Sequence, residues 1–355
     1  MNEDTSVYLD VVRFTAAMAV FFSHACGERL TGGLFWQLGP YGTEAVDVFF
    51  VLSGFVIAYV HDAREKAPMR FVVSRFARIY SVAIPALILT FLLDAVGRIS
   101  RPELYDPSWG YIWHGRGSQF LHALAFVNQI WFNQIAPGSD LPYWSLGFEV
   151  WYYAIFAVAV FMPWRWRIPA VLMLLLFVGP KIVAMFPLWL LGVVAYQVCK
   201  RVAIPPLPSF VFCFGGIGAW IGYEVYAWRF GRLIEPLWLG SGPATQDYIV
   251  GLAFFIHLIG FRAVSYIPAP VLRFFKVPIR WVAGATLTLY LFHLPLLQFL
   301  KAETPWPASS WQERSLLCIG VPILVFVIAE FTERRKDIWR RGFHAVFTKV
   351  LPVAG

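Results

Sequence analysis

Arg13 and His24 stand eleven positions apart in VVRFTAAMAVFFSHA, a stretch that is otherwise almost all hydrocarbon. At the pitch of an α-helix they share one face, offset by about 20° and separated by roughly 16 Å along the axis. An arginine so placed can hold an anion, and a histidine can take or give a proton near neutral pH. Asp10, three residues before Arg13, is spaced to pair with it. A plain alternative stands beside this: a buried Asp10–Arg13 pair and a histidine bonded to a backbone carbonyl.

Other ionisable groups interrupt apolar runs. Asp47 lies in AVDVFFVLSGF, Glu149 in YWSLGFEVWYY with Ser145 one turn before it, His293 in LYLFHLP and Glu330 in VIAEF. A charge at the centre of a bilayer costs about 3 kcal/mol or more unless it is paired or faces a cavity. Acids and histidines in several separate runs therefore point to a polar interior. RFVVSRFARIY adds Arg70, Arg75 and Arg78. Arg75 and Arg78 fall on one helix face and make a fork suited to phosphate. The same arginines also serve the positive-inside rule.

The elements that position these groups are membrane helices. The chain is 59% hydrophobic and 14% charged, where soluble domains are about half apolar and a quarter charged. Ten spans are expected, at 7–26, 44–61, 79–96, 143–163, 167–182, 185–200, 208–227, 246–264, 281–299 and 315–332. The fifth and sixth are short and read equally well as one broken pair. Residues 97–142 form the longest connection, and FLHALAFVNQIWF within it is apolar enough to lie along the interface or to re-enter. With the N-terminus inside, 19 Lys and Arg fall on the cytoplasmic side and nine outside. That bias predicts an all-α polytopic protein with an even number of spans and both termini cytoplasmic.

The +8 net charge is read as this topological bias, not as a nucleic-acid surface. No charged leader or small-residue cleavage site precedes the first span, so it is expected to remain. Cys26, Cys199, Cys213 and Cys318 show no CxxC and no metal spacing; neither a metal nor a disulfide is expected. No internal repeat or linker is visible, and a single integral-membrane domain over residues 1–355 is expected, without an appended soluble domain.

Taken in order, these stretches resemble acyltransferase family 3, the bacterial membrane O-acyltransferases acting on glycans. The family begins with Arg or Lys, ten residues and then His, matched by Arg13 and His24. A GVDxFFVLSGF segment is matched around Asp47, and an RRxxRIYP-like element by SRFARIYS with Arg75 and Arg78. WSLxxExxFY is matched by WSLGFEVWYY with Ser145 and Glu149, and YxxYLxHxP by LTLYLFHLP with His293. The RIYP proline is Ser81 here, and the C-terminal Glu-x-Pro appears as EFT after Ala329.

The resemblance implies transfer of an acyl group, commonly acetyl from acetyl-CoA, onto a hydroxyl of an exported or lipid-linked carbohydrate at the bacterial inner membrane. Arg75 and Arg78, with Arg70, would hold the CoA phosphates, and Arg13 would lie along the donor route. His24 would be the general base, with Glu149 or Asp47 orienting it or binding sugar. Ser145 either carries an acyl group or caps its helix. His293 and Glu330 either line the cavity or are structural. Acceptor contacts are expected in 97–142 and 228–245. A transporter or flippase of a lipid-linked glycan is the alternative, and usually shows a two-half repeat.

Overall fold

The computed structural model describes residues 2–234 and 244–350. The described residues are largely helical and include no β-strand. We number the helices used below α1 Glu3–Ala25, α2 Tyr41–Ala63, α3 Pro68–Ser100, α4 Arg116–Leu124, α5 Trp144–Phe161, α6 Trp164–Val178, α7 Pro180–Arg201, α8 Pro206–Phe230, α9 Thr245–Val264, α10 Lys276–Ala283, α11 Thr286–Glu303, α12 Val321–Phe331 and α13 Lys336–Val350. Eight helices are long and apolar enough to cross a membrane, and α10 with α11, bent by 51°, makes a ninth when counted as one span.

The fifth expected span, 167–182, corresponds to α6, which has 15 residues and so reaches about 22 Å of a core about 30 Å thick. The break between the fifth and sixth expected spans falls at Gly179, whose φ of 83° lies in the region glycine favours. Pro180 then starts α7, where a missing N–H costs nothing. α3 is longer than hydropathy indicated: its 33 residues carry the helix back past Arg78, Arg75 and Arg70. These arginines therefore ride on the same rod as the apolar span.

The chain forms two compact units. The first combines α1 through Ala16, Thr43–Lys66 and Leu172–Ala283. Its helices approach very closely. A methyl group built on Gly192 would lie 1.8 Å from the Val51 carbonyl oxygen, and one on Gly54 would lie 2.0 Å from that of Trp189. α2 and α7 thus cross glycine to glycine. Gly216 and Gly260 make a second such crossing between α8 and α9, at 2.5 Å from Ala253 O and 2.3 Å from Cys213 N. Small residues at crossings are how membrane helices gain van der Waals contact where lipid offers no hydrophobic drive.

The second unit combines Ala17–Gly42, Ala67–Val171 and the chain from Gly284. Here α3 packs against α11 and α13. Phe343 and Phe347 of α13 meet Phe76 edge-on at 5.7 and 5.4 Å. Of the apolar stretch in the long connection, only the part up to Leu124 is helical, as α4. The C-terminal carbonyls of a short helix need partners, and side chains supply them. Tyr143 Oη donates to Ala123 O and Tyr80 Oη to Leu124 O, each at 3.0 Å, and Trp151 Nε1 donates to Phe126 O at 2.9 Å. Asp94 on α3 clamps the far end of the connection, accepting from Ser139 N at 3.0 Å, Ser139 Oγ at 2.6 Å and Arg116 Nη1 at 3.2 Å.

Candidate active site

His24, in the last turn of α1, meets His293, in the middle of α11. His24 Nδ1 lies 3.0 Å from His293 Nε2 and 3.0 Å from the Val20 carbonyl oxygen. His293 Nδ1 lies 2.9 Å from the Leu289 carbonyl oxygen. A carbonyl only accepts, so the partners assign the hydrogens. His293 Nδ1–H donates to Leu289 O, leaving a lone pair on its Nε2. His24 Nδ1 faces two acceptors and must be the donor. The lone pair of His24 is then on Nε2, and the ring is only partly buried, whereas His293 is 1% exposed. The carboxylates expected to orient His24 do not take that place; a second histidine does.

From His293 a polar path continues through the same unit. The Tyr290 ring is 6.4 Å from that of His293, and its hydroxyl shares a 2.6 Å hydrogen bond with Ser145 Oγ. Ser145 Oγ also donates to Pro142 O at 3.4 Å, a local bond at the start of α5. Glu149, one turn on, accepts from the Tyr153 hydroxyl. The Arg75 guanidinium sits 5.9 Å from the Tyr153 ring and 5.5 Å from that of Phe71, and the charges of both Arg75 and Arg78 reach Tyr153. Two sites read separately from the sequence, the arginine fork on α3 and the WSLGFE stretch on α5, are thereby joined. Arg70 is exposed, one turn further out on α3.

Sequence reasoning did not find Asp140. It lies just before α5, fully buried, with no hydrogen-bond partner for either carboxylate oxygen. Burial pushes its carboxyl well above the usual carboxylate range. The signal was present in APGSDLPYWSLG, an acid beside the WSL motif, but nothing in the spacing marked it as buried.

The first unit holds Arg13 and Asp47. Arg13 Nη1 bonds Asp10 Oδ1 at 3.1 Å, as the spacing indicated. Asp47 is fully buried, within range of the charges of Asp247 and Glu44; Glu44 is itself bound by Arg232 and by Trp220 Nε1. Glu330, read as a cavity acid, is corrected: its side chain is 51% exposed and pairs with Arg334. Glu330 directly follows Ala329 of the buried face and so lies about 100° around α12 from it. It is Glu333, three residues later, that is buried and accepts from Thr288 N at 3.0 Å. The four cysteines are unpaired. Of the 228–245 connection, residues 235–243 lie outside the described residues.

Fold and site define a multi-pass α-helical membrane protein with a histidine pair among its helices. Residues 6–330 match the family model for an acyltransferase domain, and the chain belongs to that family, acyltransferase family 3. It is 31% identical over 160 residues to the exopolysaccharide production protein ExoZ of Rhizobium meliloti (strain 1021), covering 40% of this chain and 43% of that one. It is 34% identical over 153 residues to the acyltransferase MdmB of Streptomyces mycarofaciens, covering 41% of this chain and 36% of that one. These matches thus span less than half the length of either relative. No solved structure matches.

Proposed function

We propose that the protein is an O-acyltransferase of the bacterial inner membrane that moves an acyl group, acetyl by preference, from acyl-CoA to a hydroxyl of an exported carbohydrate. Family membership supports acyl transfer, and the relative named for exopolysaccharide production favours a polysaccharide acceptor. The observation that carries the reading is the 3.0 Å contact between His24 Nδ1 and His293 Nε2, which leaves the lone pair of His24 on Nε2.

In this reading the donor is a substrate that enters from the cytoplasmic side. Arg75 and Arg78, with Arg70 further out, bind its phosphates, and Tyr153 with Glu149 fixes the arginine fork. Arg13, on the same helix as His24, is assigned to donor binding. His24 Nε2 removes the proton of the sugar hydroxyl as its oxygen attacks the thioester carbonyl. The tetrahedral intermediate collapses with cleavage of the C–S bond, and the imidazolium returns its proton to the CoA thiolate. Positioned proton transfer of this kind is worth about 10²- to 10⁴-fold in rate. His293 is a positioning residue that fixes the tautomer. No acyl-enzyme is needed, because the Ser145 hydroxyl is already engaged by Tyr290 and Pro142 O. The exposed aromatics of the same unit, Phe35, Trp36, Trp131 and Phe132, offer stacking faces for sugar rings. Asp47 is left with a structural role beside Asp247.

The test is acyl transfer to a panel of bacterial polysaccharides by purified protein supplied with acetyl-CoA. Ester formation on one acceptor that disappears in His24→Ala supports the reading. Undiminished transfer by His24→Ala overturns the assignment of the base.

A further inference from the structure

A pocket of about 290 Å³ opens in the first unit where α7, α8 and α9 meet. Lys200 and Arg201 at the end of α7 line it, with Arg262 at the end of α9, Ile204 in the connection, Ser209 in the first turn of α8 and Ile259. The three cations are not equivalent. Lys200 Nζ is neutralised by Asp62 at 2.7 Å, and Asp62 is fixed in turn by the Tyr196 hydroxyl at 2.6 Å. No acidic side chain among the described residues pairs with Arg201 or Arg262. Both guanidiniums are exposed, and their pocket carries an unbalanced positive charge.

Topology explains why arginines stand at these helix ends, and the carbonyl ends of α7 and α9 favour cations there. It does not explain why two of them, 61 residues apart in sequence and on different helices, border one concavity. A guanidinium pair over such a cavity suits a phosphate group, which it can grip bidentately. The surroundings indicate the source of that phosphate. α8 buries only one stripe, Ser209, Cys213, Gly216, Tyr223 and Ala227. Leu207, Phe210, Val211 and Phe214, in its first turns beside the pocket, are exposed. A ligand whose head lies on the arginines therefore has a continuous apolar face along which hydrocarbon can run.

We propose that this pocket binds the headgroup phosphate of an anionic phospholipid, gripped by Arg201 and Arg262, with the acyl chains laid along the outer face of α8. The site is separate from the residues assigned to acyl transfer and does not depend on that assignment. Basic pockets between membrane helices commonly receive such headgroups. Ser209, whose hydroxyl bonds Ile204 O at 3.4 Å, holds the connection in place as the floor of the pocket.

The test uses delipidated full-length protein in a zwitterionic detergent. Dioctanoyl phosphatidylglycerol is titrated by native mass spectrometry, with dioctanoyl phosphatidylcholine, inorganic phosphate and coenzyme A as comparisons. Wild type is expected to retain phosphatidylglycerol over phosphatidylcholine. Arg201→Gln/Arg262→Gln should bind it roughly 30-fold more weakly, while Arg201→Lys/Arg262→Lys, which keeps the charge, recovers most of the affinity. Arg340→Gln/Arg341→Gln, equally basic and exposed on α13, should match wild type. Equal binding of the two lipids, or a Gln variant indistinguishable from wild type, overturns the proposal. A Gln variant that loses coenzyme A or inorganic phosphate but keeps phosphatidylglycerol assigns the pocket to a soluble anion and overturns the lipid. If the double Gln variant fails to fold, the single variants Arg201→Gln and Arg262→Gln decide: each should bind phosphatidylglycerol about fivefold more weakly than the Arg340/Arg341 control, and equality with that control overturns the proposal.

Discussion

A neutral imidazole has one hydrogen and one lone pair, and their placement decides whether the ring can act as a base. In this chain the placement is set by two carbonyls and a second ring, His293, 269 residues away. His293→Leu is expected to lower kcat at least tenfold with donor affinity little changed. His293→Gln, whose amide oxygen can accept the His24 Nδ1 hydrogen, should recover much of the rate. Its pH–rate profile should lie nearer to that of wild type than the Leu profile does. Equal losses in both variants with unaltered pH profiles would mean that His293 merely fills space. Asp140 gives a second prediction. A carboxyl whose folded value is raised costs stability as pH climbs past its unfolded value of about 3.9. Asp140→Asn should therefore raise the thermal midpoint at pH 8, with a gain that shrinks toward pH 4; a gain independent of pH would contradict it. Arg13 and His24 were legible because both lie on one helix, where periodicity fixes geometry. The histidine pair was not, because sequence spacing says nothing about which helices become neighbours. Glu330 shows the same limit in reverse: the end of α12 at Phe331 separates an exposed acid from the buried Glu333 just beyond it, and hydropathy does not resolve that change of direction.

Helices were the most legible elements, since an apolar run of sufficient length has few alternatives in a bilayer. Their crossings were hidden. Gly216 and Gly218 look alike in FGGIGAW, yet a methyl group on Gly216 would meet Ala253 O at 2.5 Å and one on Gly218 would meet nothing within 4 Å. Gly192→Leu is expected to lower the thermal midpoint sharply, since overpacking costs about 1–3 kcal/mol or more. Gly218→Ala should leave it unchanged or raise it slightly. The reverse order would refute the close α2–α7 crossing. α3 shows how an element serves chemistry: one continuous helix carries Arg70, Arg75 and Arg78 at one end and Asp94 at the other. Asp94→Ala removes the acceptor of Ser139 and Arg116. Limited proteolysis should then cut the 101–140 connection several-fold faster; an unchanged rate would mean that other contacts hold it.

At the scale of the whole molecule, the excess of Lys and Arg on one side predicts a cytoplasmic C-terminus, which requires α6 to cross despite its 15 residues. A C-terminal reporter active only inside the cell is the expected result, and one active only outside would make α6 an interfacial helix. The division into two compact units was not legible, because each unit is assembled from separated segments and the apolar runs carry no boundary signal. The motif order that marks the family was legible from end to end, and the family match over residues 6–330 agrees with it. The central claim is that an arginine fork binds the donor while His24 performs the chemistry, and it is tested most directly by acetyl-CoA binding to purified protein. Wild type and His24→Ala should bind with similar affinity, and Arg75→Ala/Arg78→Ala should lose binding at least tenfold. Undiminished binding by the arginine variant, or no binding by well-folded wild type, would contradict the account.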